Sequence, residues 1–192
     1  DSDDMKVLHD KYMKQKNGKD YSAFRKKTQI TGIWDDHDYG VNDGGKEYPY
    51  KRESKKLMLD FLDVPRDAPV FNHEGAYQSY TFGPKGQKIK LLLVDSRYFR
   101  DALESSKIEG KRYEINQTGD ILGEEQWAWL KKELTDSEAD IHIIANGIQV
   151  ISEEQGFEKW ANFPKARKRL LDLLTETKPK NPIVLSGDRH IA

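Results

Sequence analysis

Segments of helical spacing alternate along the chain with short apolar runs, and polar stretches separate them. Residues 5–15 set Met5, Val7, Leu8 and Tyr12 among lysines and acids, a weakly amphipathic helix ended by Asn17-Gly18. Ser22 is placed to cap a short second helix over 23–27. From Arg52 onward Leu57, Met58, Phe61 and Leu62 recur at helical spacing with lysines opposite. That predicts a helix packed on a sheet and stopped by Val64-Pro65. Two more helices are predicted over 124–134, burying Trp127, Leu130 and Leu134, and over 165–174, burying Ala166, Leu170, Leu173 and Leu174.

Strands are predicted between them. Residues 29–34 form a short apolar run, and residues 76–82 alternate in the manner of a strand. Gly83-Pro84-Lys85-Gly86 then turns the chain into 89–94, a hairpin partner expected to be buried on both faces. Residues 141–145 read as another buried strand, and Ile183-Val184-Leu185 as a last apolar run. Residues 101–120 are polar, with a loop as the default. Strands and helices in alternation define the class as α/β, or layered α/β/α.

Several of the apolar runs end in chemistry. The first runs into Trp34-Asp35-Asp36-His37-Asp38-Tyr39-Gly40-Val41-Asn42-Asp43, which packs four carboxylates and an imidazole into ten residues. Adjacent acids repel, so a fold places them together where something positive offsets the repulsion. Asp, Asn and Gly are poor strand formers, which makes this a loop at a strand's carboxyl edge, where open α/β sheets bind ligands. Alone, the stretch would serve equally as a solvated acidic turn. A second loop, Ser186-Gly187-Asp188-Arg189-His190, changes the balance by setting Asp188 and His190 after another apolar run. Carboxylate with imidazole suits zinc, iron or manganese better than calcium alone. Asn146 follows 141–145, and Asp95 and Arg97 follow Val94. Carboxylates and imidazoles converging from separate strands could hold two cations that bind phosphate oxygens and activate water.

Composition narrows the partners. A formal charge of −1, from 32 basic and 33 acidic side chains among 192 residues, provides no global field for nucleic acid or an anionic membrane. The absence of cysteine excludes disulfides, thiolate metal sites and cysteine nucleophiles. No apolar run approaches the ~20 residues of a membrane span.

Ile33-Trp34-Asp35-Asp36-His37-Asp38-Tyr39-Gly40 together with Ser186-Gly187-Asp188-Arg189-His190 resembles the PhoD-like alkaline phosphatase/phosphodiesterase family, a branch of the metallophosphoesterases. Val94-Asp95-Ser96-Arg97-Tyr98-Phe99-Arg100, Leu122 to Leu130 and Ala145 to Gln149 agree with it. The resemblance implies a layered α/β/α metallophosphoesterase-like sheet, partial, with 1–192 a single, incomplete catalytic domain. Its Gly-Asp-x-x-Tyr-type motif, whose carboxylate bridges two metals, is not found here. The chain is therefore expected to be an internal piece of a longer enzyme, binding metal weakly and turning over little on its own.

By this resemblance Asp36, Asp188 and His190 are metal ligands, and Asn146 stands at a further ligand position for which Gln149 competes. His37 protonates the leaving group or binds phosphate, with ligand as the other reading. Asp38 orients His37 or caps backbone amides, and Arg97 is a candidate phosphate clamp through its bidentate guanidinium. The implied cofactors are two metal ions from among iron, calcium, zinc and manganese. The implied reaction is attack of metal-bound hydroxide on a small phosphate ester, in a secreted or periplasmic protein. Two other readings are a noncatalytic metal-binding module and a carbohydrate hydrolase using Asp36 with Asp188.

Overall fold

The computed structural model describes residues 2–187. Helix α1 (Met5–Lys16) starts at Asp4, whose carboxylate accepts the N–H groups of Lys6 and Val7, and α2 (Lys19–Arg25) follows after Gly18. Ser22 lies inside α2, so the cap the sequence suggested there is replaced by an earlier start. A single turn, α3 (Asp36–Tyr39), opens the acidic loop, and α4 (Lys51–Phe61) follows it. The hairpin β1 (Gln78–Phe82) and β2 (Ile89–Leu93) leads through a long loop to α5 (Gly123–Thr135). The chain then runs through β3 (Ile141–Asn146), α6 (Pro164–Thr177) and β4 (Pro182–Ser186). No helix among the described residues is long and apolar enough to cross a membrane.

The sheet has the order β1-β2-β3-β4, its first pair antiparallel and the other two parallel. Two strand-helix-strand crossovers therefore bring the carboxyl ends of β2, β3 and β4 to one edge. One face is covered: Leu92, Ile144 and Val184 pack with Trp127, Leu130 and Leu134 of α5 and Ala166, Leu170 and Leu173 of α6. A second cluster joins Trp34, Tyr39, Tyr48, Met58, Leu59 and Tyr98, and seats the N-terminal helices beside the acidic loop.

Three further expectations change. Residues 29–34 join no ladder among the described residues. Trp34 is fixed instead by side-chain contacts, packing edge-on against Tyr39 with ring centroids 5.0 Å apart. Burial on both faces is confined to the carboxyl end of β2, where Leu92 and Leu93 are both buried while Ile89 at its start is exposed. His142, Ile144 and Asn146 of β3 are buried, their neighbours Ile141, Ile143 and Ala145 half-buried, and on β4 Ile183 and Leu185 are exposed. In α4 the lysines do not all point away from the core. Lys55 is buried, and its ammonium donates to the carbonyls of Val70 at 2.6 Å and His73 at 2.5 Å.

Candidate active site at the carboxyl edge of the sheet

The acidic loop is built by local hydrogen bonding. Asp38 Oδ2 accepts the Asp35 N–H at 3.2 Å, so Asp38 caps α3, one of the two roles the sequence left open for it. Asp36 is 6% exposed, with Oδ1 accepting the His37 N–H at 2.8 Å and Oδ2 the Asp43 N–H at 3.0 Å. Burial alone would raise its carboxyl. The Asp43 N–H and the charges of Arg97 and His37 outweigh that and hold it below the ordinary range. Asp43 turns back with φ 53°, a left-handed conformation that Asp tolerates. His37 projects outward with its side chain 62% exposed, Nε2 3.8 Å from Asp36 Oδ2.

The positive charge that such an acidic run requires lies underneath. Arg97 and Arg100 are both wholly buried. Arg97 pairs with Asp35, Nε donating to Oδ1 at 2.8 Å and Nη2 closing on the same oxygen. Its Nη1 meets Glu158 Oε2 at 2.6 Å. Burial raises the Asp35 carboxyl to about 7, against the pull of Arg97, so two adjacent acids are driven apart in acidity. Burial likewise raises the carboxyl of Glu158, with both arginines opposing.

The loop and the strand ends meet across Gly147. A methyl group at that position would lie 2.5 Å from Asp35 Oδ1 and 3.0 Å from the Trp34 carbonyl. From the other side, a methyl on Gly187 would lie 2.9 Å from the Gly147 carbonyl, and the Gly187 N–H donates to the Asn146 carbonyl at 3.0 Å. Glycine is needed at 147 because backbone and carboxylate approach too closely for any side chain.

The expected site residues are therefore placed unequally. Asp36 and His37 sit side by side at the sheet's carboxyl edge. Arg97 lies beneath them, its guanidinium taken up by Asp35 and Glu158, with Nη1 also 3.4 Å from the Gly44 carbonyl. That environment leaves a clamp on substrate little to work with and suits a structural cation. Asn146 faces inward: Oδ1 accepts the Trp160 indole N–H at 2.9 Å and the Ile148 N–H at 3.3 Å, while Nδ2 donates to the Leu185 carbonyl. Both lone pairs of the oxygen that would bind a cation are occupied. Asp188 and His190 lie outside the described residues.

Asp36, ionised and already oriented, fits a hard cation as one donor. Among the described residues no group of three His, Cys, Asp or Glu is placed to hold a metal. Glu158, Arg100 and Gly147 were not singled out as site residues by the sequence. Arg100 closes the motif begun by Val94, but Glu158 sits in a polar stretch without periodicity and carries no signal of its own.

An α/β sheet with acids and an imidazole gathered outside the carboxyl ends of its parallel strands carries them where open sheets of this class bind ligands. The family model for PhoD-like phosphatase matches residues 5–192, and the chain belongs to that family. Alkaline phosphatase D of Bacillus subtilis (strain 168) is 24% identical over 189 residues, covering 82% of this chain and 30% of that protein. A solved structure described as "Structure of PhoD" shares the fold with a TM-score of 0.62 at 20% identity, over 82% of this chain and 34% of that one. The chain thus spans about a third of the length of the relatives it matches.

Proposed function

We propose that this chain carries part of the catalytic site of a metal-dependent phosphoesterase. The observation that carries the reading is the pair Asp36 and His37: a buried carboxylate held ionised by two N–H donors, next to an outward-facing imidazole. Asp36 would hold a cation together with Asp188 and His190, which follow Gly187 directly along the chain. A bound cation would supply Lewis acidity toward the phosphate oxygens and lower the pKa of water. His37, at the open side of the loop, would hold a proton on Nε2 and pass it to the departing ester oxygen. Asp35, paired to buried Arg97, would fix the start of the loop and keep its carboxylate away from an incoming anion.

The test is hydrolysis of p-nitrophenyl phosphate and bis(p-nitrophenyl) phosphate by the intact protein, with and without chelator and with added Mn²⁺, Zn²⁺, Fe³⁺ or Ca²⁺. Chelation should abolish turnover. His37→Ala should lower kcat by about 10²–10⁴-fold, the usual contribution of a general acid. Unchanged turnover in Asp36→Asn would overturn the reading.

A further inference from the structure

Glu158 makes contacts that the proposed chemistry does not account for. It is buried, and its two oxygens go to different partners: Oε2 to Arg97 Nη1 at 2.6 Å and Oε1 to Arg100 Nε at 2.9 Å. Each arginine then reaches a different end of the acidic loop. Arg97 holds Asp35 at the start. Arg100 donates through Nη2 to the carbonyl of Asp43, whose N–H is bonded to Asp36 Oδ2. One carboxylate thus anchors both ends of the nine-residue loop 35–43 that carries Asp36 and His37. Its own seat is firm, because the neighbouring Trp160 donates its N–H to the Gln149 carbonyl at 2.9 Å and its indole N–H to Asn146 at the end of β3.

From this geometry we propose that Glu158 is a positioning residue. It registers the acidic loop against the carboxyl end of β3 by acting through Arg97 and Arg100, and it touches neither cation nor substrate. The two arginines carry two positive charges against one on Glu158, and the remaining charge faces Asp35 and Asp36. A buried negative charge so placed draws both guanidinium groups toward itself, whereas a neutral side chain lets both swing toward the loop acids. The catalytic consequence rests on the phosphoesterase reading; the positioning itself does not.

The experiment is amide hydrogen exchange on the intact protein bearing Glu158→Gln, paired with steady-state kinetics on p-nitrophenyl phosphate. The His37 and Asp43 amides, which the Asp36 carboxylate protects in the wild type, should exchange about ten-fold faster, while those of Leu92 and Ile144 in the core stay unchanged. The value of kcat should fall by about 10²-fold with KM little altered, as misplaced catalytic groups produce. Arg100→Lys, which keeps the charge but cannot span Glu158 and Asp43, should loosen the Asp43 amide alone and serves if Glu158→Gln does not fold. Faster exchange in a protein without phosphoesterase turnover upholds the positioning and sinks the phosphoesterase reading. Unchanged exchange at both loop amides in either folded variant overturns the proposal.

Discussion

The indole N–H of Trp34 donates to Asp95 Oδ1 at 2.8 Å in the protein interior, tying the entry of the acidic loop to the end of β2. Asp95 also accepts the N–H groups of Ala76 at 2.8 Å, Arg97 at 2.9 Å and Tyr98 at 3.0 Å. One carboxylate thus satisfies four donors from three parts of the chain. It serves as a structural hub, its two oxygens taken up by these donors.

Asp95→Ala strands all four donors in a buried setting, where each unsatisfied group costs about 1–3 kcal/mol. The expected loss is at least about 3 kcal/mol in urea denaturation. Asp95→Asn, which keeps an acceptor oxygen, should lose clearly less. Equal losses in the two variants would mean that the hub works through charge and not through acceptance.

Gly147→Ala tests the meeting point of the loop and the strand ends. The added methyl would lie 2.5 Å from Asp35 Oδ1, so the ion pair with Arg97 has to shift. Overpacking of this kind costs about 1–3 kcal/mol. Turnover should fall by about 10²-fold through displacement of the loop. A variant with wild-type kcat would show that Asp35 can move without consequence for the site.

Asn146 separates two roles with different readouts. Its carboxamide oxygen serves Trp160 and Ile148, so Asn146→Ala should cost about 1–3 kcal/mol in stability. Mn²⁺ affinity measured by titration calorimetry should change far less than in Asp36→Asn. The reverse pattern, stability kept and cation affinity lost, would restore the ligand role that the sequence suggested.

Much of this was legible from residue order, and the failures have physical causes. Helices α5 and α6 followed from Trp127, Leu130 and Leu134 and from Ala166, Leu170 and Leu173, because one apolar stripe meets one covered sheet face. The acidic loop stood out because four aspartates in ten residues are hard to place without a purpose. The inward turn of Asn146 was invisible, since its partner Trp160 lies 14 positions away and periodicity says nothing about which way a strand-end amide faces. Glu158 was invisible for the same reason: burying a carboxylate depends on two arginines about 60 residues upstream, and local pattern carries no trace of them. Residues 29–34 read as a strand because apolar character marks a segment that packs on the protein whether or not a ladder partner lies beside it.

His73, just ahead of β1, gives a pH-dependent prediction. Its ring stacks on Tyr77 with centroids 4.1 Å apart, and Nδ1 lies 2.8 Å from the Glu74 carbonyl. Burial, aided by the nearby charge of Lys55, lowers its pKa below the ordinary 6.5, with the Glu74 carbonyl, Glu125 and Asp95 opposing. The folded state therefore takes up this proton less readily than the unfolded chain. Stability from this group is complete above about pH 6.5 and declines as the pH falls from there through the lowered folded value. Replacing the imidazole with a ring that cannot be protonated, as in His73→Phe, should flatten that part of the stability profile between neutral and mildly acid pH. Denaturation midpoints measured across that range in both proteins decide the matter, and parallel curves would assign the acid sensitivity to other groups.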